Sequence, residues 1–205
     1  MQTFFFSKLK DNLKGFYRSS YFDRLTNATK TIATTQFEST HARRAFPCLD
    51  EPALKAKFHV TLGRLHNMTT LSNTVVRRTY PLDAAYVLDE YEPTVRMSTY
   101  LLAFIVSEFG NTYETGRDTF RLWGPKDRLT DLAYAAKIGP RILEHFEKVF
   151  STKYPLRKMD MVAIPDFKSG AMENWGLVTY RDTAIYYGKK NFAESNRLDH
   201  REMIL

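Results

Sequence analysis

Residues 97–109 constrain the fold more than any other stretch. Met97, Thr99 and Leu101 begin an alternating pattern, and Leu101–Val106 is then continuously apolar. Such a run needs cover on both faces, so it reads as a central strand that closes the sheet of the first part of the chain. The segments before it are also β-like. Gly15–Tyr21 is an aromatic extended run, and Thr31–Phe37 is rich in β-branched residues. In Lys57–Leu65 the apolar Phe58, Val60 and Leu62 alternate with His59, Thr61 and Gly63, the pattern of a half-buried strand.

Gly110-Asn111 are turn residues and mark a boundary, giving an all-β part over 1–109 and a mixed part over 110–205. Thr119–Gly124 predicts a further strand. From Asp127 to Phe150 the period changes, with Leu129, Leu132, Ala133, Ala136, Leu143, Phe146, Val149 and Phe150 at helical spacing. Gly139-Pro140 is expected to kink or split that helix. Strands follow at Met159–Ile164 and after Gly176 at Leu177–Arg181. The fold class is therefore α+β.

Composition excludes several functions. The net charge of +7 comes from 30 basic and 23 acidic residues that are scattered, with Arg43-Arg44, Arg77-Arg78 and Lys189-Lys190 as pairs rather than a run. Without a basic patch or recognition helix, nucleic acid is not an expected partner. The single cysteine, Cys48, excludes an internal disulfide, and its apolar neighbours predict a buried structural thiol. No stretch approaches the ~18 apolar residues of a membrane span. The N-terminus lacks the basic start and apolar core of a signal peptide. Two sequons, Asn27-Ala28-Thr29 and Asn67-Met68-Thr69, permit glycosylation on a secretory route.

Two stretches carry chemistry. Gly170-Ala171-Met172-Glu173-Asn174-Trp175-Gly176 lies between two predicted strands. Gly170 and Ala171 would let a ligand approach the backbone, and Glu173 offers a carboxylate to a peptide's ammonium end. A tight loop with Trp175 in the core fits the same residues equally well. In the second stretch, Gln36 and Glu38 sit two apart and share a face of an extended chain. Arg43, Arg44, Asp50 and Glu51 read as a local ion-pair network.

Gly170–Arg181 closely resembles the GAMEN exopeptidase signature of the aminopeptidase N family of zinc aminopeptidases. Thr35–Glu38, Ala42–Cys48 and Asp50–Ala56 resemble that family's second characteristic block, and the likeness runs from Gly15 through Arg181. It implies a saddle-like all-β N-terminal domain, present in part, followed by the start of a thermolysin-like α/β catalytic domain. It also implies peptide substrates with a free N-terminus. Glu173 would bind the α-amino group with Glu38 as a second carboxylate, and Gln36 and Met172 would shape the pocket for the first side chain. The backbone of Gly170 and Ala171 would bond the substrate main chain, with Asn174 in the same substrate-binding loop. Ser39, His41, Leu49 and Asp182 depart from the family pattern without removing any of these groups.

The resemblance also implies zinc held by H-E-x-x-H and a downstream glutamate. The five histidines are His41, His59, His66, His145 and His200, and neither His145-Phe146-Glu147 nor His200-Arg201-Glu202 continues to a second histidine. No metal ligand and no catalytic residue is therefore assigned within these residues. The expectation is a fragment of a zinc-dependent aminopeptidase that ends before the zinc helix and is inactive alone. The alternative is a catalytically inactive peptide-binding or interaction module. The sequons favour an extracellular or membrane-anchored parent over a cytoplasmic one.

Overall fold

The computed structural model describes residues 3–113 and 119–187. Its strands are β1 (Gly15–Asp23), β2 (Ala28–Gln36), β3 (Thr61–Leu65), β4 (Thr69–Ser72), β5 (Val76–Pro81), β6 (Tyr86–Tyr91), β7 (Phe104–Ser107), β8 (Gly110–Thr112) and β9 (Phe120–Gly124). There follow α1 (Ala133–Val149), β10 (Met159–Ile164), β11 (Ala171–Met172), β12 (Leu177–Arg181) and the short α2 (Asp182–Ile185). A four-stranded antiparallel sheet runs β1-β2-β7-β4, and a three-stranded one runs β3-β6-β5. The third sheet, β11-β12-β10-β9-β8, has five strands.

The run at 97–109 holds the predicted interior place, with β7 between β2 and β4, but it is not one strand. Thr99–Leu101 forms a 3-10 turn first. Side chains satisfy that segment in place of a ladder. Thr99 Oγ1 donates to Asp50 Oδ1 at 2.6 Å, while Asn73 donates to the Leu101 carbonyl and accepts from the Ala103 N–H. Lys57–Leu65 is likewise shorter than predicted. Ahead of Thr61, Phe58 exchanges hydrogen bonds with Thr94, and Ala56 bridges to Met97.

Pro140 neither kinks α1 apart nor ends it. The irregularity falls earlier, in the 3-10 stretch Lys126–Leu132. Gly139 and Pro140 are buried where the helix meets β9, and a Cβ on Gly139 would stand 2.5 Å from the Phe120 ring. That packing outweighs the loss of one helical hydrogen bond at proline.

The five-stranded sheet is covered on both sides. Val162, Ile164, Met172 and Leu177 pack with Ile32, Leu71 and Ile105 of the four-stranded sheet. Ala163, Leu122 and Tyr180 pack with Leu132, Ala135 and Ala136 beneath α1. Strand β10 is parallel to both β9 and β12, so its near-continuous apolar sequence follows from its place at the centre.

Candidate functional site

Because β10 and β12 are parallel, residues 165–176 are a crossover between them. Within the crossover β11 turns back and pairs antiparallel with β12, Ala171 opposite Tyr180 and Met172 opposite Thr179. The Arg181 N–H donates to the Gly170 carbonyl at 2.9 Å, extending that pairing. With β11 at the end of the strand order, its outer edge is unpaired among the described residues.

Both ends of the crossover are tied to the first part of the chain. At its start, the Tyr17 hydroxyl donates to the Asp166 carbonyl at 2.8 Å and Ser19 Oγ to the Asp166 carboxylate at 2.9 Å. At its end, Asn73 Nδ2 donates to the Trp175 carbonyl at 2.8 Å. Gly176 has φ +71°, and a Cβ there would lie 2.2 Å from the Asn73 carbonyl oxygen, so glycine is required on both counts. Buried Lys158 donates to the carbonyls of Gly176 (2.7 Å) and Ser72, and pairs with Asp160 at 2.7 Å.

Asp160 also accepts from Arg121 at 2.7 and 3.0 Å and from the Trp123 indole at 2.9 Å. Burial pushes its carboxyl up, but the charge of Lys158 and the bonds from Arg121 prevail and hold it below the usual carboxylate range. Lys158, Asp160, Asn73 and Arg121 are not among the residues that the sequence singles out. One signal was present: two charged residues, two apart, enter a strand that is otherwise apolar.

The residues expected to bind substrate divide into two groups. Glu38 and Glu173 are exposed, and neither makes an ion pair or hydrogen bond within the described residues. Gln36 ends β2 and is buried, with its Oε1 lacking any hydrogen-bond partner. Phe37, between Gln36 and Glu38, belongs to the apolar cluster against which Trp175 packs, so the two stretches meet. Gly170 and Ala171 are half-buried on the edge.

Met172 is fully buried and clusters with Ile32, Ile105 and Leu177, as alternation along β11 turns its side chain into the core. Asn174 is buried too, and its amide donates to the Leu177 carbonyl at 3.2 Å, which shapes the turn.

Arg43 pairs with Asp50 at 3.1 Å as the ion-pair reading expects, whereas Arg44 and Glu51 take no part in an ion pair among the described residues. Cys48 is half-buried, and burial pushes its thiol up, which suits a structural role. Among the described residues no cluster of histidine, cysteine, aspartate or glutamate could hold a metal ion. These residues do not fit a zinc centre; His200 lies outside the described residues.

The four-stranded sheet thus packs on one face of the five-stranded sheet and α1 on the other, with the Glu173 loop at that sheet's edge. Residues 1–101 match the Peptidase M1 N-terminal domain and residues 134–205 the Peptidase family M1 domain. The chain is 48% identical over 190 residues to chicken (Gallus gallus) aminopeptidase Ey, covering 89% of this chain and 19% of that protein. It is 43% identical over 196 residues to bovine (Bos taurus) endoplasmic reticulum aminopeptidase 2, covering 95% and 20%. To rat (Rattus norvegicus) aminopeptidase N it is 42% identical over 203 residues, covering 96% and 21%. The chain belongs to the aminopeptidase N family of M1 peptidases, with an N-terminal β domain followed by the start of the catalytic domain. It spans about a fifth of the length of these relatives.

Proposed function

We propose that this chain supplies the substrate-recognition part of a zinc-dependent aminopeptidase that removes N-terminal residues from peptides. The observation that carries the reading is the pair Glu38 and Glu173, unpartnered among the described residues while every buried aspartate named above is bonded. A peptide main chain would add to the free edge of β11 at Gly170 and Ala171. Its ammonium would lie between the two carboxylates, with Gln36 Oε1 accepting a further N–H. Fixing the ammonium fixes the register, so only the first peptide bond reaches the cleavage position. Zinc belongs to this proposal through the family, and no step is assigned to it here because the described residues hold no ligand for it.

The division into parts at 109/110 and a parent acting outside the cytoplasm belong to the same reading. The latter is supported by the two sequons and by relatives named for the endoplasmic reticulum. In the full-length protein, Glu173→Gln should depress kcat/KM for aminoacyl chromogenic substrates while leaving N-acetylated ones unhydrolysed before and after. The isolated 205-residue chain should not turn over either substrate with added zinc. Turnover by the isolated chain that a chelator and Glu173→Ala both abolish would contradict this division of labour. Peptide binding without hydrolysis in the full-length protein would favour an inactive binding module.

A further inference from the structure

We infer that Asn27 and Asn67 are both N-glycosylated, on one end of the four-stranded sheet and at the opposite end from Gln36 and Glu38. The inference rests on the reading of a parent that enters the secretory route. Asn27 stands in the turn 24–27 between β1 and β2 with φ 51°, a left-handed conformation that asparagine adopts readily. Asn67 stands in the turn between β3 and β4. Both side chains are exposed, and neither amide is engaged by another described residue. A glycan is added to the chain before folding is complete, so a sequon survives in a fold only where its asparagine can stay outside the core. Both of these do.

Register places the two turns together. Thr70 and Ala33 both lie opposite Val106, so β4 and β2 run side by side in the same direction across β7. Residues 67–69 therefore emerge at the Ala28 end of β2. Gln36 lies at the other end of that nine-residue strand, about 27 Å away at ~3.4 Å per residue. Glycans at both positions would extend from the pole remote from Gln36 and Glu38. Asn27 has a second supporting feature. Phe22 lies opposite Thr29, the sequon's own threonine, and is 56% exposed, while neighbouring Leu25 is 69% exposed. A first sugar on Asn27 would lie over this apolar pair and cover it.

The transfer balances simply. The asparagine amide nitrogen forms a bond to the anomeric carbon of a lipid-pyrophosphate-linked oligosaccharide. The carbon–oxygen bond to the pyrophosphate breaks, the lipid pyrophosphate leaves, and the amide gives up one proton to the transferase.

The test is to express the full-length protein in animal cells and treat it with an amidase that cleaves N-linked glycans. Peptides spanning Asn27 and Asn67 should then carry the resulting aspartate, and Asn27→Gln and Asn67→Gln should each remove one mobility step from the untreated protein. Aminopeptidase activity of either variant should stay within about twofold. A lumenal protein with both asparagines unmodified would overturn the inference while leaving the secretory reading intact. Recovery of the protein in the cytosol would overturn both, and a version given a heterologous signal peptide then reports separately whether the two turns accept glycans. Modification of only one asparagine would overturn the paired arrangement.

Discussion

Asp160 and Glu173 belong to the same sheet, one in its central strand and one just past its edge strand, and the chain treats their charges in opposite ways. Asp160 is buried and bonded to Lys158, Arg121 and Trp123. Glu173 is exposed and unengaged among the described residues. A carboxylate fully matched from within holds structure together; one left open on a rigid frame is free to meet an outside cation. The comparison separates framework from recognition more sharply than position in the sequence does.

The largest expected effect falls on the framework. Lys158→Met leaves the Asp160 charge short of a partner and removes the donor that links Ser72 to Gly176, so stability should drop by about 3–5 kcal/mol. Urea midpoints of the protein would check this, and a loss below about 1 kcal/mol would mean the pair contributes nothing special. Next comes Gly176→Ala, which combines a positive φ with a clash against the Asn73 carbonyl and should cost about 3 kcal/mol by the same measurement.

On the recognition side, Glu173→Ala should lower kcat/KM about 100-fold, or ~2.7 kcal/mol, with stability within about 0.5 kcal/mol of wild type. If Glu173→Ala instead lowered stability as Lys158→Met does, the division between the two carboxylates would fail. Glu38→Ala should follow the same pattern at about tenfold.

The smallest effect is the acid response. Burial pushes Asp160, Asp89 and Asp50 up, but their bonds and neighbouring arginines or lysine hold each below the ordinary carboxylate value. Their stabilisation is therefore complete above an unfolded carboxylate pKa of about 3.9 and is lost as pH falls through the lower folded values. Denaturation midpoints measured from neutral pH downward should stay level and then drop, and Asp160→Asn should flatten that drop.

How much of this was legible depended on whether the determining contact was local. The sequence pattern located β1, β2 and β10 closely, through an aromatic run, β-branched residues and an apolar stretch respectively. It overextended the strand at 97–109 because Asn73 and Asp50, distant in sequence, satisfy that backbone instead. Pro140 was given too much weight for the same reason: what keeps α1 continuous is Phe120 beneath Gly139. In the loop, the signature pointed to Glu173 as a carboxylate on offer. It could not disclose that Met172 faces the core, since one residue's displacement along a two-residue edge strand decides that. The clamp of Lys158 and Asn73 was unreadable because each bond joins segments that only the finished fold brings together.

Those bonds bear on how the molecule assembles. Tyr17 and Asp166 are 149 residues apart, Asn73 and Trp175 are 102 apart, and Lys158 reaches back 86 residues to Ser72. Contacts of such separation close large loops and are slow to form. On a ribosome, the sheets of the first part can pair as they emerge, whereas the recognition loop stays unshaped until nearly all of this stretch has been synthesised. On the proposed function, the ability to hold a peptide's ammonium would therefore be gained late in folding, after the two sheets have docked.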